Sequence, residues 1–192
     1  MCYKQQDANK SIRGFEKFVK PVLKARFGTS KIFSTERHDS ELATLLDQNA
    51  GIDGFLVDDN GWTIPFASRV QFGTNYVSFS IRRSRPSGAT TEYDKLNNPR
   101  QIKPSYYVQT FVKPDEKSAA VAIVETTDLL RYIYKHPDQW RPNKDGETFF
   151  YIPWSKLENA RLYSVQADGQ IVDLENCLFE AANNTDPNWT PF

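Results

Sequence analysis

Apolar residues recur at roughly every third or fourth position in two early segments, and this spacing predicts two helices. The first helix is predicted over residues 9–27, with Gly28 as its stop. The second is predicted from Ser40 to about Asn49, with a buried stripe formed by Leu42, Leu45 and Leu46. Ser40 or Asp39 is expected to cap it, because short polar side chains accept the free N–H groups of a first helical turn.

Alternation of apolar and polar residues follows directly and predicts strands. Three strands are expected in quick succession, over about residues 52–57, 62–71 and 76–82. The turn between the first two is Asp58-Asp59-Asn60-Gly61, in which Asn-Gly accepts a positive φ at low cost. A polar loop is expected over about residues 83–91. The later elements are strands over 106–112, 119–124, 149–152 and 162–165, and a helix from Thr127 to Pro137.

This order of helices and strands indicates an α/β protein with a mixed β-sheet flanked by helices. A length of 192 residues suits a single domain over residues 1–192, with a polar C-terminal tail from about residue 183. The hydrophobic fraction of 39% and the aromatic fraction of 14% are sufficient for a buried core. They exclude wholesale disorder, which requires a chain poor in such residues.

Charge and cysteine usage narrow the classes of function. Lys and Arg number 24, as do Asp and Glu, so any binding of nucleic acid must use a local basic patch. Cys2 and Cys177 are too few for a disulfide framework or a zinc site. No apolar run reaches the ~20 residues that cross a bilayer, and no signal-like segment is present. We therefore expect a cytoplasmic protein without membrane contact.

The most informative chemistry lies between the second helix and the second strand. Asp53 opens the first apolar strand, where a carboxylate can bind a metal ion or bond to nearby backbone. Along the next strand, the period of two puts one set of side chains on one face, namely Ile64, Phe66, Ser68 and Val70. The opposite face then comprises Pro65, Ala67, Arg69 and Gln71. Arg69 and Gln71 are therefore expected to project together.

This layout resembles the PD-(D/E)XK superfamily of restriction-endonuclease-like nucleases. In that family a helix carries a Glu, a strand carries an Asp, and the next strand carries an acid-x-Lys pair. By this resemblance Glu41 takes the helix position, Asp53 the strand position and Gln71 the position of the lysine. Arg69 stands where the family has its second acid.

The resemblance implies a metal-dependent nuclease that hydrolyses phosphodiester bonds with the help of Mg²⁺. Asp53 and Glu41 are then the metal ligands, and Gln71 completes the catalytic set by placing the attacking water. The resemblance covers about residues 36–82. It implies a restriction-endonuclease-like fold with a nuclease core over about residues 36–125.

Arginines supply the local positive charge that such a site requires. Arg69 is expected to clamp a phosphate, because a guanidinium offers a bidentate fork and cannot bind a cation. On the third strand, Ser78, Ser80 and Arg82 are expected to form a polar face beside Arg69, and Arg83 carries the charge into the loop. The expected partner is nucleic acid, DNA in preference to RNA, with a homodimer left open.

Two other interpretations remain open because Arg69 replaces an acid. In one, the protein is a catalytically inactive relative that binds nucleic acid or a protein partner. In the other, it is a structural or inhibitory protein whose sheet only looks like a nuclease core. A salt-dependent gel shift without cleavage distinguishes nucleic-acid binding from both catalysis and protein binding.

Four further polar residues have plain structural interpretations. Glu92 and Lys95 are expected to form an i,i+3 ion pair on a short helix. Asp47 is expected either to be a solvated acid near a helix end or to reach the cleft of Asp53 and hold the metal with it. Gln109 interrupts an apolar strand, and a buried Gln requires hydrogen-bond partners, which the wall of a site can supply.

Overall fold

The computed structural model describes residues 3–28, 31–35, 40–73 and 77–174. The predicted polar tail from about residue 183 lies outside these residues. The described helices are α1 (Tyr3–Gly14), α2 (Lys20–Phe27), α3 (Glu41–Leu45), α4 (Glu92–Asn97) and α5 (Thr126–Lys135). Short π-helical segments continue the chain from α1 into α2 (Phe15–Val19) and extend α3 (Leu46–Ala50), and a 3₁₀ turn covers Trp154–Lys156. None of the described helices is both long and apolar enough to cross a membrane.

The described strands form two separate sheets. They are β1 (Lys31–Ser34), β2 (Gly54–Val57), β3 (Thr63–Phe72), β4 (Ser78–Ser84), β5 (Tyr106–Val112), β6 (Ser118–Glu125), β7 (Trp140–Pro142), β8 (Thr148–Pro153), β9 (Arg161–Gln166) and β10 (Ile171–Asp173). The larger sheet has seven strands in the order β1-β2-β3-β5-β6-β9-β10, and the smaller has three in the order β4-β8-β7.

The larger sheet is mixed, because one neighbouring pair differs from the rest. β3 and β5 run parallel, whereas the other neighbours pair antiparallel. Between β3 and β5 the chain leaves the sheet to form β4 and α4, and a parallel return requires such a crossover. The predicted α/β class with a mixed sheet and helices is confirmed.

The two faces of the larger sheet bury different partners. One face packs against α1, α2 and the π-helical segment between them, through a cluster that includes Phe18, Leu23, Phe66 and Val121. The other face packs against the smaller sheet and α5, through a cluster that includes Ala67, Phe79, Leu129 and Trp154. The predicted alternation along β3 is confirmed for Phe66 and Ala67, which belong to opposite clusters.

The prediction for β4 was wrong in one respect. Ser80 and Arg82 do lie beside Arg69, because Arg69 Nη1 donates to Ser80 O at 3.4 Å and both arginines face Glu92. What differs is the place of the strand: β4 belongs to the smaller sheet and lies across that side of β3. Phe79 and Ile81 are buried in the core, and Ser80 is buried as well. The local alternation is present, yet strand pairing is decided by partners distant in the sequence, here β8.

The predicted leucine stripe of the second helix was also wrong. Leu42 and Leu45 are 65% and 49% exposed, and the helix instead buries Ala43 and Ala50. Ser40 caps the helix as predicted, by accepting the N–H of Ala43 at 3.1 Å. The alternative cap, Asp39, lies outside the described residues.

Candidate active site

Asp53 is held rigidly at the start of β2. The preceding helical segment ends at Gly51, whose φ of 65° is the left-handed conformation that glycine adopts easily. Ile52 is fully buried, and Asp53 N donates to Phe66 O at 3.0 Å. The next residue, Gly54, leaves no room for a side chain, because a Cβ there would lie 2.5 Å from Phe33 O. The backbone therefore fixes the direction of the Asp53 side chain.

The side chain of Asp53 points to the neighbouring strand. Its Oδ2 accepts a hydrogen bond from the backbone N–H of Ser68 at 2.6 Å. Ala67 and Arg69 flank Ser68 and face the opposite side of β3 from it. Gln71 is three residues beyond Ser68, roughly 10 Å along the strand. Among the residues on the face of β3 opposite Ser68, Ala67 and Arg69 are therefore nearest to Asp53.

A cleft of about 180 Å³ opens beside Asp53, and we call it the Asp53 cleft. It lies where β3 and β5 of the larger sheet meet β4 and α4. The lining residues that carry polar or ionisable side chains are Asp47, Asp53, Ser68, Arg69, Ser80, Glu92, Lys95 and Tyr107. The lining residues include three acids and two bases, which gives the lining a formal net charge of −1.

Glu92 brings a second carboxylate from α4 to the cleft. This helix begins with a capping box, in which Thr91 Oγ1 accepts from Asp94 N at 3.3 Å and Asp94 Oδ2 accepts from Thr91 N at 2.9 Å. Glu92 Oε1 lies 3.7 Å from Arg69 Nη1 and 3.8 Å from Arg82 Nη1. The other oxygen, Oε2, is buried and has no hydrogen-bond partner among the described residues.

The expected ion pair between Glu92 and Lys95 was wrong. Glu92 faces two arginines, whereas Lys95 Nζ donates to the backbone carbonyl of Asp47 at 2.8 Å. Asp47 lines the cleft and is half-buried, so it reaches the cleft of Asp53 while remaining partly solvated. The i,i+3 spacing predicts only that Glu92 and Lys95 share a helix face. In the fold, each side chain contacts a residue outside α4 in place of the other.

The arginines predicted to contact phosphate lie in different surroundings. The guanidinium carbons of Arg69 and Arg82 each lie 5.3 Å from the ring centre of Phe149. Arg82 Nε is also 3.2 Å from Glu147 Oε1. Arg83 instead lies over the ring of Trp140, with its guanidinium carbon 4.6 Å from the ring centre. Arg83 is not among the residues that line the Asp53 cleft.

The two other residues of the predicted catalytic set do not line the cleft with Asp53. Glu41 is exposed in the first turn of α3. Gln71 Oε1 accepts from Gln109 Nε2 at 3.4 Å, and Gln109 Oε1 in turn accepts from Ser80 N at 3.4 Å. Gln109 is only 2% exposed, so the expectation of a buried amide with partners is confirmed. The catalytic roles of Glu41 and Gln71 remain predictions.

Burial and charge shift two pKa values in the cleft. Burial lowers the pKa of Arg69, the nearby Arg82 lowers it further, and Glu92 opposes this change. Burial also raises the pKa of the Tyr107 hydroxyl, and the charges of Glu92 and Asp53 raise it further. Tyr107 is therefore a neutral hydroxyl at physiological pH, between two carboxylates and a guanidinium.

The number of carboxylates in the cleft determines which kind of metal ion it can hold. Within the described part of the chain, no group of three or more His, Cys, Asp or Glu side chains is arranged to hold a metal ion. Asp53 and Glu92 line one cleft, and Mg²⁺ is commonly bound by one or two carboxylates together with water and substrate phosphates.

Sequence reasoning did not identify Glu92 as a residue of the site. The signal that could have found it is the capping pair Thr91 and Asp94, which marks the start of α4 and sets Glu92 in its first turn.

Comparisons of this chain with protein-family models, with curated proteins and with solved structures find no match. The interpretation of the cleft therefore depends on its own geometry and chemistry.

Proposed function

We propose that this protein is a metal-dependent nuclease of the restriction-endonuclease type, acting on phosphodiester bonds of nucleic acid. The observation that carries the proposal is the second carboxylate of the cleft. Glu92 Oε2 is buried without a hydrogen-bond partner among the described residues, in the same cleft as Asp53. A buried carboxylate oxygen without a donor is costly, and a bound cation removes that cost.

The fold supports the proposal through the order of its elements. A helix, α3, precedes Asp53, which opens β2 and is followed by the antiparallel strand β3. This is the order of helix, acid-bearing strand and neighbouring strand on which the resemblance depends. The register at Ser68 brings Ala67 and Arg69 nearest to Asp53, so Arg69, which the resemblance sets at the position of the second acid, lies beside Asp53.

In this proposal Glu92 replaces the acid that β3 lacks. Ala67 is a small residue that lines the cleft, so the space beside Asp53 is open to a side chain from α4. Asp53 and Glu92 would hold the Mg²⁺. When bound, the ion neutralises charge on the phosphate and lowers the pKa of a water nucleophile.

The remaining polar groups of the cleft bind and orient the substrate. Arg69 offers its guanidinium to a phosphate, which it can contact through two parallel hydrogen bonds. Lys95 adds a second positive charge, and its ammonium is oriented by the carbonyl of Asp47. Tyr107 keeps its proton, so it can donate a hydrogen bond to a phosphate oxygen but cannot serve as a base.

Cleavage of plasmid DNA and of RNA with Mg²⁺ or Mn²⁺ tests the proposal. Asp53→Asn and Glu92→Gln should each lower the cleavage rate by at least about a hundredfold, as losses of charge stabilisation at a reacting phosphate do. Both changes keep the size of the side chain, and the amide oxygen introduced by Asp53→Asn can still accept the N–H of Ser68. EDTA should stop cleavage by the unmodified protein.

Glu41→Gln is the matched control, because it removes one carboxylate that is exposed and does not line the cleft. It should cleave at the rate of the unmodified protein. If Glu41→Gln is inactive while Glu92→Gln is active, the metal ligand on α3 implied by the resemblance is the correct one. Cleavage that survives Asp53→Asn contradicts the nuclease proposal as a whole.

A second candidate is a non-catalytic relative that binds nucleic acid. The specific observation in its favour is that Arg69 faces Glu92 and partly neutralises the carboxylate that this proposal sets in place of the missing acid. DNA or RNA that shifts in a gel with strong salt dependence, yet is not cut with either metal, would favour this candidate.

A further inference from the structure

The contacts of Glu92 with its two arginines are long. Distances of 3.7 and 3.8 Å from Oε1 to the guanidinium nitrogens exceed those of hydrogen bonds, so the attraction is coulombic and readily exchanged. The two guanidinium groups also lie at equal distances from one ring, that of Phe149. Glu92 is thus held in place by charge, and its Oε2 remains without a donor among the described residues.

Arg69 is poorly satisfied in the same arrangement. Within the described part of the chain, its one hydrogen bond goes from Nη1 to the carbonyl of Ser80, at 3.4 Å. A guanidinium has five N–H donors in a planar fork. Burial disfavours its charged form, as the lowered pKa of Arg69 reflects. An anion with two oxygens would satisfy this group better than Glu92 does.

The charges of the cleft suit a phosphate and a divalent cation together better than either alone. Its carboxylates and cationic groups leave a formal charge of −1. A phosphodiester adds one more negative charge, and a divalent cation neutralises the two together. The cation alone must instead compete with both Arg69 and Arg82 for Glu92.

We propose that Arg69 couples the two ligands, so that the cleft binds a divalent cation well only when a phosphodiester occupies the guanidinium. Without phosphate, Arg69 remains on Glu92 and repels the cation. With phosphate, the guanidinium of Arg69 turns to the anion. Glu92 then faces only Arg82, at 3.8 Å, and is more available to a cation beside Asp53. This inference rests on the proposed function and adds to it the order in which the ligands are accepted.

Calorimetric titration of the full chain with Mn²⁺, with and without dimethyl phosphate, tests the coupling. For the unmodified protein, dimethyl phosphate should tighten Mn²⁺ binding by about tenfold, within the range usual for coupled sites. Arg69→Met should bind Mn²⁺ about tenfold more tightly without phosphate, because a positive charge has been removed from the cleft. The same variant should lose the effect of dimethyl phosphate.

Arg131→Met is the matched control, since Arg131 lies on α5 at Asp128 and not at Glu92. It should behave as the unmodified protein does. If Arg69→Met fails to fold in a thermal melt, Arg69→Lys replaces it. Arg69→Lys keeps the positive charge but loses the guanidinium that can form two parallel hydrogen bonds. Its Mn²⁺ affinity without phosphate should equal that of the unmodified protein, and dimethyl phosphate should raise that affinity by a smaller factor.

The outcomes separate this inference from the proposed function. Equal Mn²⁺ affinity in the unmodified protein and Arg69→Met overturns the coupling and leaves the metal site standing. A phosphate effect that persists in Arg69→Met overturns the coupling in the same way. Absence of Mn²⁺ binding in every variant, with and without dimethyl phosphate, overturns the metal site and with it the nuclease proposal.

Discussion

At the scale of single residues, Tyr107 shows how the charges of the cleft act on one group. Its hydroxyl belongs to a side chain that is 8% exposed, with Glu92 and Asp53 raising its pKa and Arg69 opposing them. A neutral hydroxyl in such a place donates a hydrogen bond without adding charge. It also makes the folded state sensitive to alkaline pH, because the ionised form is excluded from the fold.

Tyr107→Phe should remove part of the alkaline destabilisation of the protein. In the unfolded chain the hydroxyl loses its proton near the ordinary pKa of about 10, whereas the folded protein keeps it. Tyr107 therefore makes its full contribution to the free energy of unfolding below the pKa of the unfolded chain. That contribution is lost as the pH rises from there toward the raised pKa of the folded state.

Urea unfolding at a series of alkaline pH values measures this effect. The free energy of unfolding should fall less steeply with pH in Tyr107→Phe than in the unmodified protein. The slope should not vanish, because burial and the charge of Asp173 also raise the pKa of Tyr163. Identical slopes for both proteins would show that Tyr107 ionises in the folded state as it does in the unfolded chain.

At the scale of elements, the short helix α4 decides where the second carboxylate of the cleft lies. It has six residues, too few for stability by helix propensity alone, so its cap and its packing must hold it. Thr91 is 2% exposed and closes the capping box with Asp94, and Leu96 anchors the other end in the core. Glu92 occupies the first turn and is positioned by these contacts.

Thr91→Ala should lower the free energy of unfolding by about 1 kcal/mol, the usual cost of losing an N-cap. It should also weaken Mn²⁺ binding, because Glu92 is the residue next to the cap. Chemical denaturation and calorimetry measure the two effects. Thr91→Ser keeps the capping hydroxyl and should retain Mn²⁺ affinity, so equal Mn²⁺ binding by the alanine and serine variants would contradict the role assigned to the cap.

At the scale of the whole molecule, the Asp53 cleft depends on the packing of the smaller sheet across the larger one. Gln109 joins them, because its Oε1 accepts from both the N–H and the hydroxyl of Ser80 on β4. Its Nε2 donates to Gln71 on β3. This buried amide thus fixes β4 relative to the strand that carries Arg69.

Gln109→Leu should destabilise the protein by about 1–3 kcal/mol, since it leaves the buried N–H of Ser80 without its acceptor. The neighbouring Thr110 provides the matched control. It is fully buried, and its hydroxyl has no hydrogen-bond partner among the described residues. Thr110→Val should therefore be neutral or stabilising in the same urea titration. If Thr110→Val lowers the stability as much as Gln109→Leu does, the destabilisation by Gln109→Leu comes from altered packing and not from the lost hydrogen bonds.

The sequence determined the features that depend on near neighbours in the chain. The hairpin from Asp53 through β3, the faces of Phe66 and Ala67, the cap at Ser40 and the buried state of Gln109 follow from periodicity, turn chemistry and polarity. These signals act within a few residues, so they can be read before any fold is known.

Only the tertiary structure decided which of these residues meet. The pairing of β4 with β8 carried Ser80 over β3, and the position of α4 gave Glu92 two arginines in place of Lys95. The bond from Ser68 to Asp53 set the register that puts Ala67 and Arg69 beside the acid. Such contacts join residues far apart in the chain, and their energies depend on burial and on competing partners that local spacing does not encode.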